Sequence, residues 1–381
     1  MSIIPGRPLS QLSRIVHREV VVLLVLSAFA FGLFLFTQAA AAANRAQQEL
    51  DARAWSDRGR AALANGATAD AVVALRRAAA GRPDDWPTAR TLASALVADG
   101  RPDASRQLLL RWRALHPDDA EVHAHLARVE ARTGNVDEAV AYYESALHGR
   151  WPDGATERVA LRREVIQLLL GAGRSAAALS HVLTMAANLP DTPGAQLEVA
   201  GLFMAAGDPV RALERYQRTL RLAPGERAAR AGAGAAAFAL HDYPRALGYV
   251  RGLPDTASQR IATVAQHVAA LDPRSPRLPA AARTRRLAAT IDTAARLLES
   301  CRAGTPAPTP LAGRTDTALA AALTAFAAGL TPVSLRETPE VIDRGFELAA
   351  RAVDLVAARC PPLDSRGEAV QRLARLHAST P

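Results

Sequence analysis

The chain contains no lysine; all 46 of its basic residues are arginine, and isoleucine and asparagine are scarce. Alanine and arginine are abundant instead, with 24 glycines and 24 prolines, as GC-rich coding produces. The net charge of +9 is therefore weak ground for a nucleic-acid partner. No zinc-ribbon, RNA-binding or helix-turn-helix signature accompanies it, so no nucleic-acid partner is expected. Aromatic residues make up only 4% of the 381 residues, which with abundant alanine favours closely packed helices over sheet. There are two cysteines, Cys301 and Cys360. Neither lies in a C-x-x-C or C-x-x-C-H motif, so redox catalysis and haem attachment have no support.

Catalytic signatures are missing as well. There is no nucleophile-elbow serine and no phosphate-binding loop. The stretch from Gly232 to Ala237 (GAGAAA) mimics a dinucleotide loop, but it follows no strand and reads as small-residue helix packing. His116, His123 and His125 cluster in sequence; a spacing of two puts the last pair on different helix sides, against shared metal ligation. The chain is expected to be no enzyme and to carry neither cofactor nor metal.

One long uncharged run is present. Val20 to Phe36 (VVVLLVLSAFAFGLFLF) is apolar, and Thr37 to Ala43 extends it with small residues. About 20 helical residues span a bilayer core, and a secretory h-region is typically about 7–15. Residues 20–43 thus read as a signal-anchor helix, preceded by a cytoplasmic segment 1–19 that carries Arg7, Arg14 and Arg18. The bulk would lie in the periplasm of a bacterial inner-membrane protein. Two alternatives stay open: cleavage at the small residues Ala39–Ala43, and an inverted anchor with a cytoplasmic bulk. Ser27, Ala28, Ala30 and Gly32 would admit a neighbouring helix closely.

From residue 52 to 253 the chain repeats every 34 residues. Glycine recurs at Gly66, Gly100, Gly134, Gly173 and Gly207. A small residue follows five positions later, at Ala71, Ser105, Ala139, Ala178 and Ala212, and Pro83, Pro117, Trp151, Pro190 and Pro224 close each unit. A sixth, degenerate copy keeps Gly234, Asp242, Tyr243 and Ala246 but has His241 at the glycine position. The pattern resembles the tetratricopeptide repeat, a helix-turn-helix unit of 34 residues. The resemblance implies an all-α solenoid that binds protein partners and catalyses nothing itself. Its groove positions fall on Arg60, Arg90, Arg128 and Arg163, then on Leu197, Met204 and Phe238. The implied groove is basic near the membrane and apolar beyond it, although exposed arginines are frequent throughout. The lysine and asparagine of the family's carboxylate-clamp subgroup are missing.

Beyond Pro254 the period fades into a helical C-terminal region, 254–381, expected to cap the solenoid. Helices are expected over Ala257–Leu271, Leu278–Cys301, Thr315–Ala328, Pro339–Ala358 and Ser365–His377, with a Pro-rich loop at Thr305–Gly313 and a helix start at Thr338–Pro339. Arg274, Arg277, Arg283, Arg285 and Arg286 form a run without acidic residues, read either as a solvated loop or as a surface for an acidic partner or anionic headgroups. Cys301 and Cys360 each close an expected helix. In an oxidising compartment they would pair and contribute about 4 kcal/mol; two separate buried thiols are the alternative. Together these features suggest a membrane-anchored interaction scaffold, an accessory or assembly subunit of an inner-membrane complex. The rival is a cleaved, soluble periplasmic chaperone or adaptor.

Overall fold

The computed structural model describes residues 9–151, 155–274, 278–304, 310–337, 340–360 and 362–378. Every regular element among them is a helix, and they divide into two units, 1–168 and 169–381.

The first unit begins with α1 (Leu9–Ala64), which runs unbroken from the apolar run into the first repeat. No break separates span from repeat because residues 44–51 (NRAQQELD) hold no glycine or proline. Next come α2 (Thr68–Gly81), α3 (Trp86–Ala98), α4 (Pro102–Leu115), α5 (Ala120–Thr133), α6 (Val136–His148) and α7 (Ala155–Gly171), within which the unit boundary falls. Helices pair as α1/α2, α3/α4 and α5/α6. The second unit holds α8 (Ser175–Asn188), α9 (Pro193–Ala205), α10 (Pro209–Leu222), α11 (Arg227–Ala239), α12 (Tyr243–Val250) and α13 (Thr256–Leu271). Five more helices follow: α14 (Ala280–Gly304), α15 (Pro310–Gly329), α16 (Pro332–Glu337), α17 (Glu340–Arg359) and α18 (Ser365–Ala378).

The repeat signature has a direct physical origin. Gly66, Gly100, Gly134, Gly173 and Gly207 all take φ between 72° and 84°. Each sits in a turn where the next amide reaches back across the helix end, as in Ala67 N to Ala62 O (2.9 Å) and Asp208 N to Phe203 O (2.9 Å). This is the Schellman arrangement, which glycine adopts without Cβ strain. In the sixth copy His241 takes the same place at φ 61°, and Asp242 N still reaches Ala237 O at 2.9 Å. The small residue five positions on is fully buried in all six copies, Ala71 through Ala246. At the one serine, Ser105, the hydroxyl donates to the Ala93 carbonyl at 2.9 Å. Gly232 and Gly234 are packing residues: added Cβ atoms would run into the Tyr216 ring and Val250.

Several expectations are corrected. Pro310 to Gly313 belong to α15 and not to a loop, because proline is tolerated in the first turn of a helix; residues 305–309 lie outside the described ones. The short helix α16 was not foreseen, and Thr338–Pro339 are also outside the described residues. The arginine run is partly engaged within the chain, while Arg285 stays exposed on α14. Arg283 and Arg286 donate to the carbonyls of Pro273 (3.1 Å) and Asp272 (3.0 Å), just past the C-terminal end of α13, where positive charge is favoured. Arg274 lies beside Asp272 and over the Phe346 ring. Arg277 lies outside the described residues.

The C-terminal helices do not stand apart from the sixth repeat. Phe238 and Tyr243 share one core with Val268, Leu287, Ile291, Phe346 and Leu373. Within it α14 packs on α17, and α13 on α18. Cys301 and Cys360 stand as a disulfide, Cα–Cα 5.9 Å, tying the end of α14 to the end of α17.

Candidate functional site

The first unit carries a concave pocket of about 670 Å³. Its lining comes from the first helices of four successive hairpins: Leu63 on α1, Ser94 and Val97 on α3, His125, Arg128 and Val129 on α5, and Glu164 on α7. Tyr143 on α6 closes its wall. The floor is apolar, Arg132 lies exposed at the edge, and three of the polar groups are mutually engaged. Arg128 grips Glu164 through two parallel hydrogen bonds of 2.8 and 2.9 Å, and the Tyr143 hydroxyl donates to the same carboxylate at 3.0 Å. Burial, and then the Glu164 carboxylate, push the Tyr143 phenol well above its ordinary value. His125 is pushed down to about 4, first by burial and then by the charges of Arg128 and Arg90. It faces the pocket as a neutral ring, edge-on to Trp86 at 5.8 Å.

Of the expected groove residues, Arg128 alone lines this pocket. Arg90 is paired with Glu121 of the next hairpin at 3.2 Å, and that carboxylate also accepts from the Trp86 indole at 2.6 Å. Arg60 pairs with Asp57 one turn away, and Arg163 is exposed on α7. The ladder is therefore not a row of free cations: its two central arginines each meet a carboxylate about one period further on. Leu197 and Met204 are half-buried on α9 of the second unit. Phe238 does not line an open surface. It is buried in the core, with the Arg372 guanidinium of α18 lying 4.0 Å over its ring.

The sequence reading missed His125, Tyr143 and Glu164 as pocket residues. The available signal was an opposite charge one repeat away: Glu121 stands 31 residues after Arg90, and Glu164 stands 36 after Arg128. The three histidines do not converge on a metal. His116 stacks on Trp112 at 5.6 Å, while the His123 ring bonds the Pro117 carbonyl at 2.8 Å. No group of three metal-ligating side chains occurs among the described residues.

A further buried charge pair braces the wall behind the pocket. Glu130 on α5, 5% exposed, accepts from Arg106 Nε at 2.5 Å and Nη2 at 2.6 Å, and from Asn135 Nδ2 at 2.8 Å. Burial opposes its charge. The hydrogen bonds from Arg106 and Asn135 outweigh that and hold the carboxyl below its ordinary value.

Sequence profiles described as tetratricopeptide repeat match residues 62–129, and residues 164–225 together with 200–260. No curated protein matches the chain. Among solved structures, one titled as the functional characterisation of Pseudomonas aeruginosa PilF aligns at 18% identity and TM-score 0.40, covering 56% of this chain and 97% of that one. The C-terminal part of a TPR repeat-containing protein from Cytophaga hutchinsonii aligns at 10% identity and TM-score 0.42, covering 82% and 98%. PilW, titled a widely conserved type IV pilus biogenesis factor, aligns at 16% identity and TM-score 0.40, covering 55% and 97%. Tetratricopeptide repeats are typically non-catalytic and take protein partners. The hairpins are of that kind: the chain is a TPR repeat protein, an all-α helical-hairpin array headed by one long apolar helix.

Proposed function

We propose that this chain is a non-enzymatic interaction scaffold held at the bacterial inner membrane, an accessory or assembly subunit of a respiratory, photosynthetic or biogenesis complex. In this reading residues 1–19 are cytoplasmic and 20–43 cross the bilayer. The hairpin array 52–253 and the helical region 254–381 lie in the periplasm. The observation that carries it is α1. Every residue from Val20 to Ala43 is exposed, Phe29 at 72% and Phe36 at 70%, so none of the described residues covers this apolar surface. A bilayer supplies the cover, and about 20 such residues suffice to cross it. The disulfide is in keeping with an oxidising compartment.

The concave pocket is suited to a protein segment that places an apolar side chain on Leu63, Val97 and Val129. Arg128 and Glu164 are already paired, so the floor selects for shape and apolarity, and exposed Arg132 at its edge adds one open positive charge. The test has two arms. Resistance to carbonate extraction, together with an intact N-terminus, supports the anchor; a mature chain starting near Ala43 would leave a soluble periplasmic chaperone or adaptor. In mild detergent, Ser94→Arg with Ala98→Arg fills the pocket from exposed positions and should remove the co-purifying partner. Unchanged co-purification would move the binding surface elsewhere.

A further inference from the structure

We infer that the membrane-facing edge of the first unit holds a zwitterionic phospholipid headgroup, of the phosphoethanolamine type, in a second pocket. This rests on the anchored reading above. The pocket, about 640 Å³, is lined by Trp86, Leu115, His116, Asp118, Arg150 and Trp151, with Pro117, Asp119 and Glu121 beside them.

Its position follows from α1. That helix is continuous, so the orientation of the first hairpin is fixed relative to the span. The return helix α2 runs back down α1: a Cβ on Gly81 would stand 3.0 Å from Ala52 Cβ and 3.5 Å from the Gln48 carbonyl. Gln48 lies five residues past Ala43 and twelve past Phe36, about 8–18 Å at the helical rise. Trp86 opens α3 directly after the turn 82–85 that follows α2. Trp86 shares the pocket with the next two inter-hairpin turns, so one edge of the unit gathers these residues at the level of the headgroups. Indole rings favour that layer.

The chemistry selects the occupant. Glu121 is committed to Arg90 and the Trp86 indole, and Asp119 caps α5 by accepting from Glu121 N at 2.9 Å. Two charges remain, Asp118 and Arg150, both exposed and without an ion pair among the described residues. Their backbones are tied together, Arg150 N donating to Asp118 O at 3.1 Å, yet the side chains do not pair with each other. A carboxylate and a guanidinium held side by side and left open match an ammonium and a phosphate joined by a two-carbon link. Trp86 and Trp151 add ring faces for the ammonium, and exposed Leu115 adds an apolar side chain to the same lining. A purely anionic headgroup would meet the three carboxylates without a cation of its own.

The experiment uses the full chain. Flotation with vesicles tests the anchor first. The protein is then held in mild detergent with phosphatidylethanolamine or phosphatidylglycerol of matched acyl chains, and retained lipid is counted by native mass spectrometry. Retention of phosphatidylethanolamine about tenfold above phosphatidylglycerol is expected, falling to the phosphatidylglycerol level in Asp118→Asn/Arg150→Ala. Trp151→Phe, which keeps a ring face, should retain most of the preference. A chain that floats but shows no lipid preference, or a double variant that keeps it, overturns the pocket assignment alone. A chain that does not float overturns the anchored reading and this inference with it.

Discussion

Arg106→Ala should cost the first unit about 3 kcal/mol at neutral pH and far less at pH 5. In the wild type, Glu130 is 5% exposed and receives two hydrogen bonds from Arg106 and one from Asn135. Removing one partner of a buried ion pair typically costs about 3–5 kcal/mol. Arg106 is itself 29% exposed, so water reaches the gap and the lower end applies. There is also a ceiling. The orphaned carboxyl escapes its burial by taking a proton, at about 1.4 kcal/mol for each pH unit above its pKa. From an ordinary value of 4.5 to pH 7 this is about 3.4 kcal/mol; at pH 5 it is about 0.7. The sign agrees with the wild type, whose depressed carboxyl stabilises the fold above 4.5 and loses that stabilisation as pH falls through its lower folded value. Urea unfolding followed by tryptophan emission isolates the effect, because all four tryptophans, Trp55, Trp86, Trp112 and Trp151, lie in the first unit. Replacing both partners, Arg106→Met with Glu130→Leu, should cost less than either single change. A loss below about 1 kcal/mol at pH 7, or one that stays constant from pH 5 to 7, would refute the reasoning.

Further outcomes follow from other parts of the structure. His125 is a base held neutral with its value lowered to about 4, so the unfolded chain takes up a proton that the fold refuses. Stability should fall by on the order of 3 kcal/mol between pH 6.5 and 4, and His125→Gln should flatten that part of the tryptophan-monitored curve; an unchanged slope would place His125 in water. The disulfide closes a separation of 59 residues, so Cys301→Ser with Cys360→Ser should cost about 4 kcal/mol by loop entropy. Far-UV circular dichroism with and without a reductant reads this, and a melt insensitive to both would mean that the cysteines do not pair. His241→Gly should stabilise by about 0.5–1 kcal/mol, since it relieves a left-handed residue at φ 61° while giving up the contact of His241 Nδ1 with the Tyr243 hydroxyl; a loss in a thermal melt would show that contact to dominate.

The repeat was legible because its marks are local. A left-handed turn asks for glycine and a crowded helix crossing asks for a small side chain, and both recur in fixed register with no knowledge of the rest of the chain. His241 illustrates the strength of the signal. Even where the glycine is lost, the neighbouring Asp242, Tyr243 and Ala246 impose the same turn, at φ 61°. The long apolar helix was legible for the same reason, since composition over a window needs no partner. The pocket was only partly legible. The repeat register puts Arg90 and Arg128 on the same face, but whether their charges stand free or paired depends on Glu121 and Glu164 in the following hairpin. Those partners are found only when the 34-residue period is applied to charges as well as to glycines and alanines.

Phe238 marks where that logic ends. Its register gives it a groove position, yet Arg372, 134 residues further along the chain, lies over its ring, and Tyr243 meets it edge-on at 5.5 Å. No period links the two, because α18 belongs to a set of helices that the repeat does not generate. The consequence is asymmetric. In the first unit the concave face stays open, and Arg90 and Arg128 are neutralised by neighbours of the same array. In the second, the C-terminal helices share a core with the last hairpin, and the disulfide ties two of them together. An open concave face in this chain therefore stands where α1 leads into the hairpins. The long apolar helix α1 itself begins the wall of that pocket, through Leu63.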